Sequence, residues 1–421
     1  LVCSCKWTLN SIPLIFSRHH RDALSSMKTD RRQSTSETEP FEPIVRRYMP
    51  ELDSLRGVAV LSVLFFHGIA PPASPVWTSA ERMLLSISGY GWVGVNLFFV
   101  LSGFLITGIL IDSRNDGHYY SHFYARRALR ILPALWSMLL LLLISGSIDW
   151  RFFGLSALFL GNFATLMGVA LQYGPLWSLA VEEHFYLLWP TVIRQLGRRS
   201  WSAIAISIFA LTPLLRWWGY EYAGRPGGWV SLYTWCNLDG LALGALLAIW
   251  VRARTFCRGD LGRVAFPALI VGIAGCVWSA LGLWSRAILF SSFCNVAAFG
   301  LISSALLVGT SQRKSLVDRP VLRFFGWLSY GLYLVHVFAF RVVDVVFSRW
   351  WSILQPSNNP VLAILVRFLL GSAIAISIAY LSRRSLEAKF LNMGARYRSR
   401  SESLRESWGA KPVLPETPLK G

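Results

Sequence analysis

His67 is the only ionisable group in the apolar run 57-GVAVLSVLFFHGIA-70, and it follows Arg56 by eleven residues. Eleven residues turn a helix by about 1100°, some 20° past three full turns, and advance it about 16.5 Å. Arg56 and His67 therefore share one helix face at very different depths. A histidine titrates near neutrality, so it is a natural general base. A histidine that only hydrogen-bonds a neighbouring helix fits the same position. A second candidate lies in 175-PLWSLAVEEHFYLLWP-190, where Glu182 shares a face with Ser178 and Tyr186 at four-residue spacing. A buried carboxylate there can orient a histidine or steady its cation; a glutamate at the headgroup boundary reads equally well.

A third candidate is the basic junction 123-FYARRALRILPAL-135, with Arg126 and Arg130 on one face and Arg127 beside them. Guanidinium groups match planar phosphate oxygens, so a phosphorylated donor from the cytosol could meet the membrane at this point. Topology alone, or lipid headgroups, would also account for such a cluster. Two further stretches hold polar or small groups among bulky ones: Ser102 and Gly103 in 98-FFVLSGFLI-106, and Ser329, Tyr333 and His336 in 329-SYGLYLVH-336. Small residues admit a neighbouring helix or a thin acyl chain.

The elements that position these groups are membrane helices. The chain of 421 residues is 54% hydrophobic and 15% charged with mean hydropathy +0.47, against about 25% charged for a soluble domain. Apolar segments fall at 57–75, 91–111, 131–147, 152–170, 176–193, 201–217, 237–252, 264–283, 287–309, 324–341 and 361–381. If all crossed, the basic loops 194–200, 252–263 and 313–319 would lie outside, against the positive-inside rule. Letting 152–170 dip and return, helped by Gly154, Gly161 and Gly168, brings all three inside together with 383-RRSLEAK-389. The expectation is an all-α polytopic protein of about ten crossings, with a re-entrant segment and both termini cytoplasmic. Residues 1–48 read as a polar tail, 49–382 as the membrane domain and 383–421 as a second cytoplasmic tail.

The net charge of +19 does not indicate nucleic-acid binding, because the basic residues sit in short clusters beside apolar segments. Cys3, Cys5, Cys236, Cys257, Cys276 and Cys294 show neither metal-ligand spacing nor a disulfide framework. No metal site is expected.

Taken in order, 53-DSLRGVAVLSVLFFH-67, 94-GVNLFFVLSGFLIT-107, 123-FYARRALRILPAL-135, 175-PLWSLAVEEHFYLLWP-190 and 329-SYGLYLVH-336 resemble the family 3 membrane acyltransferases over about residues 50–382. These are mostly bacterial enzymes that O-acylate surface carbohydrates and some small molecules. The resemblance implies that Arg56 and His67 are the family's essential pair, with Glu182 beside them in catalysis. It matches Trp177, Ser178, Leu179, Phe185 and Tyr186 to one family element, Arg126, Arg127 and Arg130 to its arginine-rich junction, and Ser102, Gly103, Ser329, Tyr330 and His336 to two more. Tyr333 joins these as a cavity residue by its place in the last element. The implied donor is acyl-coenzyme A, acetyl first, used as a substrate and not held as a permanent cofactor. The implied acceptor is a hydroxyl of a saccharide or glycosylated molecule, and the implied site is the bacterial inner membrane. The sequence departs from the family at Asn237, where an arginine commonly precedes the aspartate by two residues, and at His184, where glutamine is common. Some relatives carry a hydrolase-like domain after the last span; the expectation here is that separate envelope-biosynthesis proteins take any second step. A multi-span transporter of a small polar or anionic solute is the competing reading, since helical spans with intramembrane charges suit it too.

Overall fold

The computed structural model describes residues 44–46, 48–69, 79–222, 232–309, 318–354 and 360–397. The expected N-terminal tail up to residue 43, the residues after 397 and most of the basic loop 313–319 lie outside the described residues.

Among the described residues every regular element is helical. Helix α1 (Pro50–Gly68) opens with a proline, whose fixed φ suits a first turn and whose missing N–H would be unpaired there in any case. After α2 (Ser79–Ser88) come α3 (Val93–Asp112) and α4 (Tyr119–Ile144). Further on are α6 (Leu176–Gln195), α7 (Arg198–Tyr222), α8 (Leu238–Val251) and α9 (Arg258–Ala280). The short α10 (Leu283–Ile288) leads into α11 (Phe290–Gly309), then α12 (Pro320–Leu354) and α13 (Pro360–Ser382).

Among the described residues seven helices are long and apolar enough to cross a membrane: those built on α3, α4, α7, α9, α11, α12 and α13. Three more of the expected spans are helical but fall outside that set. At 19 and 20 residues, α1 and α6 are long enough, but they carry Glu51, Asp53, Arg56 and Glu182, Glu183, Arg194 respectively. Helix α8 has only 14 residues, preceded by a 3-10 turn, Thr234–Cys236.

The segment 152–170 holds no helix able to cross. It is divided between α5 (Trp150–Ala157), capped by Asp149, and a seven-residue 3-10 turn, Gly161–Met167. Phe159 at φ +59° and Gly168 at φ +70° break it on either side of that turn, positions where helical continuation is lost.

Helix α3 is the axle of the bundle, with 72% of its apolar window buried against 22% for α7 and for α9. Its inner packing is set by glycine. A Cβ on Gly103 would lie 2.0 Å from the carbonyl oxygen of Leu241, and one on Gly244 would lie 2.0 Å from that of Val100. Backbone therefore meets backbone where α3 crosses α8, which only hydrogen side chains permit. The same device brings α1 onto α12 through Gly57 and Gly326. On the lipid-facing side α4, α6 and α7 expose Leu140, Leu187, Leu188 and Leu214, as expected where hydrocarbon replaces water.

After α13 the chain does not leave the bundle at once. A π-helical turn, Arg383–Glu387, carries it into α14 (Ala388–Gly394), which packs back on α4. The beginning of the expected polar tail is thus part of the folded unit, because the turn buries Glu387 against Arg383 at 3.0 Å.

Candidate functional site

Five helices converge on one cavity of about 780 Å³ of empty space, its open mouth included. Helix α1 contributes Arg56, α3 contributes Phe98, Phe99 and Ser102, and α4 contributes Arg127 and Arg130. Opposite them stand Ser178, Glu182 and Tyr186 of α6 and Ser329, Tyr330 and Tyr333 of α12. The four-residue spacing read in 175–190 thus does place Ser178, Glu182 and Tyr186 on one inward face.

Glu182 is held by hydroxyls. Ser102 donates to Oε1 at 3.0 Å and Tyr186 donates to Oε2 at 3.1 Å. Arg127 stacks over the Tyr186 ring at 4.7 Å, which fixes the guanidinium beside that carboxylate. Among the described residues neither Arg56, Arg127 nor Arg130 forms a salt bridge with a carboxylate; the three lie in electrostatic reach of one another, Arg56 and Arg130 also of Asp53, and Arg56 and Arg127 of Glu182. A cluster of like charges in a low-dielectric bundle is costly unless an anion completes it.

A second cavity, of about 870 Å³, adjoins the first. Arg127 and Arg130 line both, while Arg126 lines only the second, with His122, Asp116 and residues Leu391 and Gly394 of α14. In the connecting loop Asp116 accepts from the backbone N–H of His118 at 3.0 Å and from the His122 ring at 2.9 Å. Desolvation pushes its carboxyl up, but these bonds and the neighbouring histidines outweigh it and leave the group below its ordinary value. The three arginines of the 123–135 junction therefore form a basic passage from one cavity into the other.

His67 is placed elsewhere. Its ring touches neither cavity lining nor Glu182 by any hydrogen bond. Instead Nδ1 of His67 lies 3.1 Å from the Val63 carbonyl oxygen and 3.2 Å from Nε2 of His336, which is fully enclosed. The expectation that Glu182 orients His67 is corrected in this respect: Glu182 makes no hydrogen bond to His67, and the side chain against the His67 ring is His336. The reason is axial distance, since Arg56 reaches the cavity and His67 sits three turns further along α1. Tyr333 separates the two regions. Its hydroxyl bonds Ser178 Oγ at 2.6 Å on the cavity side, and its carbonyl oxygen lies 2.7 Å from His336 Nδ1 on the other.

Of the expected cavity residues, His336 does not line the cavity, being shut off behind Tyr333, and two more prove to be packing residues. Gly103 faces Leu241 of α8, as its glycine contact requires. Trp177 stands edge-on to Phe99 at 6.0 Å, behind the wall. Ser102, Ser178, Tyr186, Ser329 and Tyr333 do line the cavity.

Sequence reasoning missed two arginines that hold this geometry. Arg216 of α7 pairs with the fully buried Asp239 at 2.7 Å, and Ser292 of α11 donates to the other carboxylate oxygen at 2.8 Å. Arg216 also donates to the Cys236 carbonyl at 2.6 Å, which ties down the irregular entry to α8. Asn237, where the family commonly has arginine, donates to the Tyr233 carbonyl at 3.0 Å; the cation reaches Asp239 from another helix. Arg367 of α13 donates to the His67 and Gly68 carbonyls at 3.1 and 2.7 Å, and is itself held by both oxygens of Asp344 at 2.6 and 2.9 Å. It closes the carbonyl end of α1 beside the His67 ring. In each case the sequence signal was a lone arginine in an apolar run, 211-LTPLLRWWGY-220 and 361-VLAILVRFLLG-371.

Comparison with known proteins follows this geometry. A Staphylococcus aureus protein provisionally named an O-acetyltransferase is 26% identical over 392 residues, covering 83% of this chain and 58% of its own length. A Bacillus subtilis protein provisionally named a peptidoglycan O-acetyltransferase is 30% identical over 331 residues, 69% of this chain and 48% of its own. The peptidoglycan O-acetyltransferase of Listeria monocytogenes is 29% identical over 171 residues, 35% of this chain and 24% of its own. The chain thus spans little more than half the length of the first of these relatives. No solved structure matches it. Residues 49–383 match the acyltransferase domain that defines the family, taking in Arg56, the whole lining of the first cavity and the histidine pair His67 and His336, and the protein is a multi-pass membrane member of the family 3 acyltransferases.

Proposed function

We propose that the protein is an O-acyltransferase that moves an acyl group, acetyl first, from acyl-coenzyme A to a hydroxyl of a saccharide or glycosylated acceptor. The observation that carries this reading is the cavity in which Arg56, Arg127 and Arg130 converge without a salt-bridged carboxylate. A polyphosphorylated thioester supplies the missing anions. Arg126, with Arg127 and Arg130, would receive the phosphates in the outer cavity, and the apolar walls Phe98, Phe99 and Leu105 suit the uncharged arm.

The chemistry requires that the attacking hydroxyl lose a proton as its oxygen bonds the thioester carbon. His67 takes that proton. When the carbon–sulfur bond breaks, the same proton passes to the departing thiolate, leaving free coenzyme A and an ester. Glu182, fixed by Ser102 and Tyr186, sets the polarity of the donor cavity and steadies Arg127. The names of the peptidoglycan O-acetyltransferase relatives favour a cell-wall sugar as acceptor. Loop charge favours about ten crossings of the bacterial inner membrane with both termini and the Arg126 junction cytoplasmic. Separate envelope proteins would then act on the product.

The test is release of free thiol from acetyl-coenzyme A by purified protein, with and without muropeptide, polysaccharide or glycosylated small-molecule acceptors. Acceptor-dependent release, with a mass gain of one acetyl group on the acceptor, is the expected result. Uptake of solute into vesicles without any thiol release would favour a transporter and overturn the reading.

A further inference from the structure

His336 has no place in the donor cavity, yet it is buried to 1% exposure with both ring nitrogens engaged. Its Nδ1 faces two backbone carbonyl oxygens, Tyr333 at 2.7 Å and Leu332 at 3.3 Å. A carbonyl oxygen only accepts, so Nδ1 carries the proton and Nε2 of the neutral ring keeps its lone pair. That lone pair faces Nδ1 of His67 at 3.2 Å. Nδ1 of His67 also faces the Val63 carbonyl oxygen at 3.1 Å, another group that only accepts. Both neighbours of this nitrogen are acceptors, so the proton of neutral His67 resides on Nδ1. Nε2 of a ring that is only half-buried is left with the lone pair.

We propose that His336 is a positioning residue that holds His67 in the Nδ1–H tautomer, making Nε2 the atom that takes the proton of the attacking hydroxyl. This rests on the reading of His67 as general base. When Nε2 is protonated, the Nδ1–H bond to His336 becomes charge-assisted and strengthens. The proton stays on His67 until the thiolate takes it, and His336 begins and ends the cycle neutral. A carboxylate commonly fills this place behind a catalytic histidine. Here the one carboxylate that lines the cavity, Glu182, is committed to Ser102 and Tyr186, and an imidazole does the work of orientation. The backbone of His67 is fixed independently by Arg367, so the ring's tautomer is the remaining freedom.

Two substitutions separate orientation from packing. In His336→Gln the side-chain oxygen reaches the place of Nε2 and still accepts from His67. In His336→Asn the shorter amide reaches only the place of Nδ1: it can bond the Tyr333 carbonyl but leaves His67 Nδ1 without that acceptor. The expected result is turnover near wild type in the glutamine variant and a kcat loss of at least about tenfold in the asparagine variant. KM for acetyl-coenzyme A should stay within about twofold in both, since the donor cavity is untouched. Equal kcat in the two variants would overturn the proposal. Should either fail to purify as a monodisperse species, ¹⁵N-histidine solid-state spectra of the wild-type protein decide instead. The resonance that disappears in His67→Gln should be protonated on Nδ1 and bare on Nε2; the opposite tautomer would sink the idea. His67→Gln also tells the two readings apart. Wild-type turnover there removes His67 as the base, whereas an inactive His67→Gln beside a fully active His336→Asn removes only the role of His336.

Discussion

Replacing Arg130 with glutamine should cost donor binding while leaving the empty protein as stable as before, or more so. The reasoning is electrostatic. Arg130 lines both cavities, lies in reach of Arg56, Arg127 and Arg383, and forms no salt bridge with a described carboxylate. Its removal therefore relieves repulsion among like charges in the unliganded bundle. In the liganded protein it removes one charge-assisted hydrogen bond, worth about 1.5–3 kcal/mol. At 1.4 kcal/mol per decade that is roughly a 10- to 150-fold weaker Kd. The assay is calorimetric titration of detergent-solubilised protein with a thioether analogue of acetyl-coenzyme A, alongside a thermal melt of the unliganded protein. Arg127→Gln should weaken binding at least as much, because it also frees the Tyr186 ring over which it stacks. Arg126→Gln should do less, since Arg126 reaches only the outer cavity. An unchanged Kd for Arg130→Gln in well-folded protein, or a greater loss from Arg126→Gln than from the other two, would refute this account and leave the cluster a topology signal.

Four other measurements probe the frame around the site. Arg216→Met alone should destabilise the protein by about 3–5 kcal/mol, because Asp239 is left buried and unpaired, while Arg216→Met with Asp239→Leu should recover much of the loss in a denaturation series. Gly103→Leu should abolish accumulation of folded protein, since even its Cβ would meet the Leu241 carbonyl at 2.0 Å; normal yield and activity would contradict the α3–α8 contact. The thiols of Cys276 and Cys294, 3.3 Å apart on α9 and α11, should join with loss of two hydrogens to copper–phenanthroline, giving one linked peptide by mass spectrometry. A single cysteine at position 197 should resist membrane-impermeant maleimide added outside intact cells; labelling there would exclude the ten-crossing arrangement.

The sequence showed the groups more clearly than their neighbours. Helices and their polar interruptions were legible because a membrane span announces itself by length and apolarity, and a lone charge within it stands out. The failure of 152–170 to form one long helix was legible from loop charge, with Gly168 at the left-handed break. The partners of each group were not legible. The helix arithmetic put Arg56 and His67 on one face, but nothing in it assigned His67 to His336, 269 positions away. That assignment depends on the glycine contact of α1 with α12, and a glycine announces proximity without naming the helix that comes close. For the same reason Gly103 read equally as a cavity or a packing residue. Asp239 illustrates the limit from the other side: the arginine missing at 237 was visible, whereas its replacement by Arg216 required the fold.

The separation of His67 from the arginine cavity follows from the helix geometry itself. Arg56 and His67 share a face of one straight α1, about 16 Å apart along it, so one end can serve phosphates only if the other serves the hydroxyl. A donor bound by Arg56, Arg127 and Arg130 must then extend its thioester past Tyr333 to meet His67. Tyr333 is tied to both ends, through its hydroxyl to Ser178 and through its carbonyl oxygen to His336. Glu182 consequently belongs with the donor: a carboxylate receiving two hydroxyl bonds beside Arg127 tempers three converging cations without neutralising them. On the proposed reading, net positive charge is thereby kept where the donor's phosphates would dock, and a neutral histidine pair where the proton would move. A carboxylate behind His67 would have to be carried across Tyr333 from the cavity that needs it; an imidazole on α12, six residues along from Tyr330 and three from Tyr333, needs no such displacement.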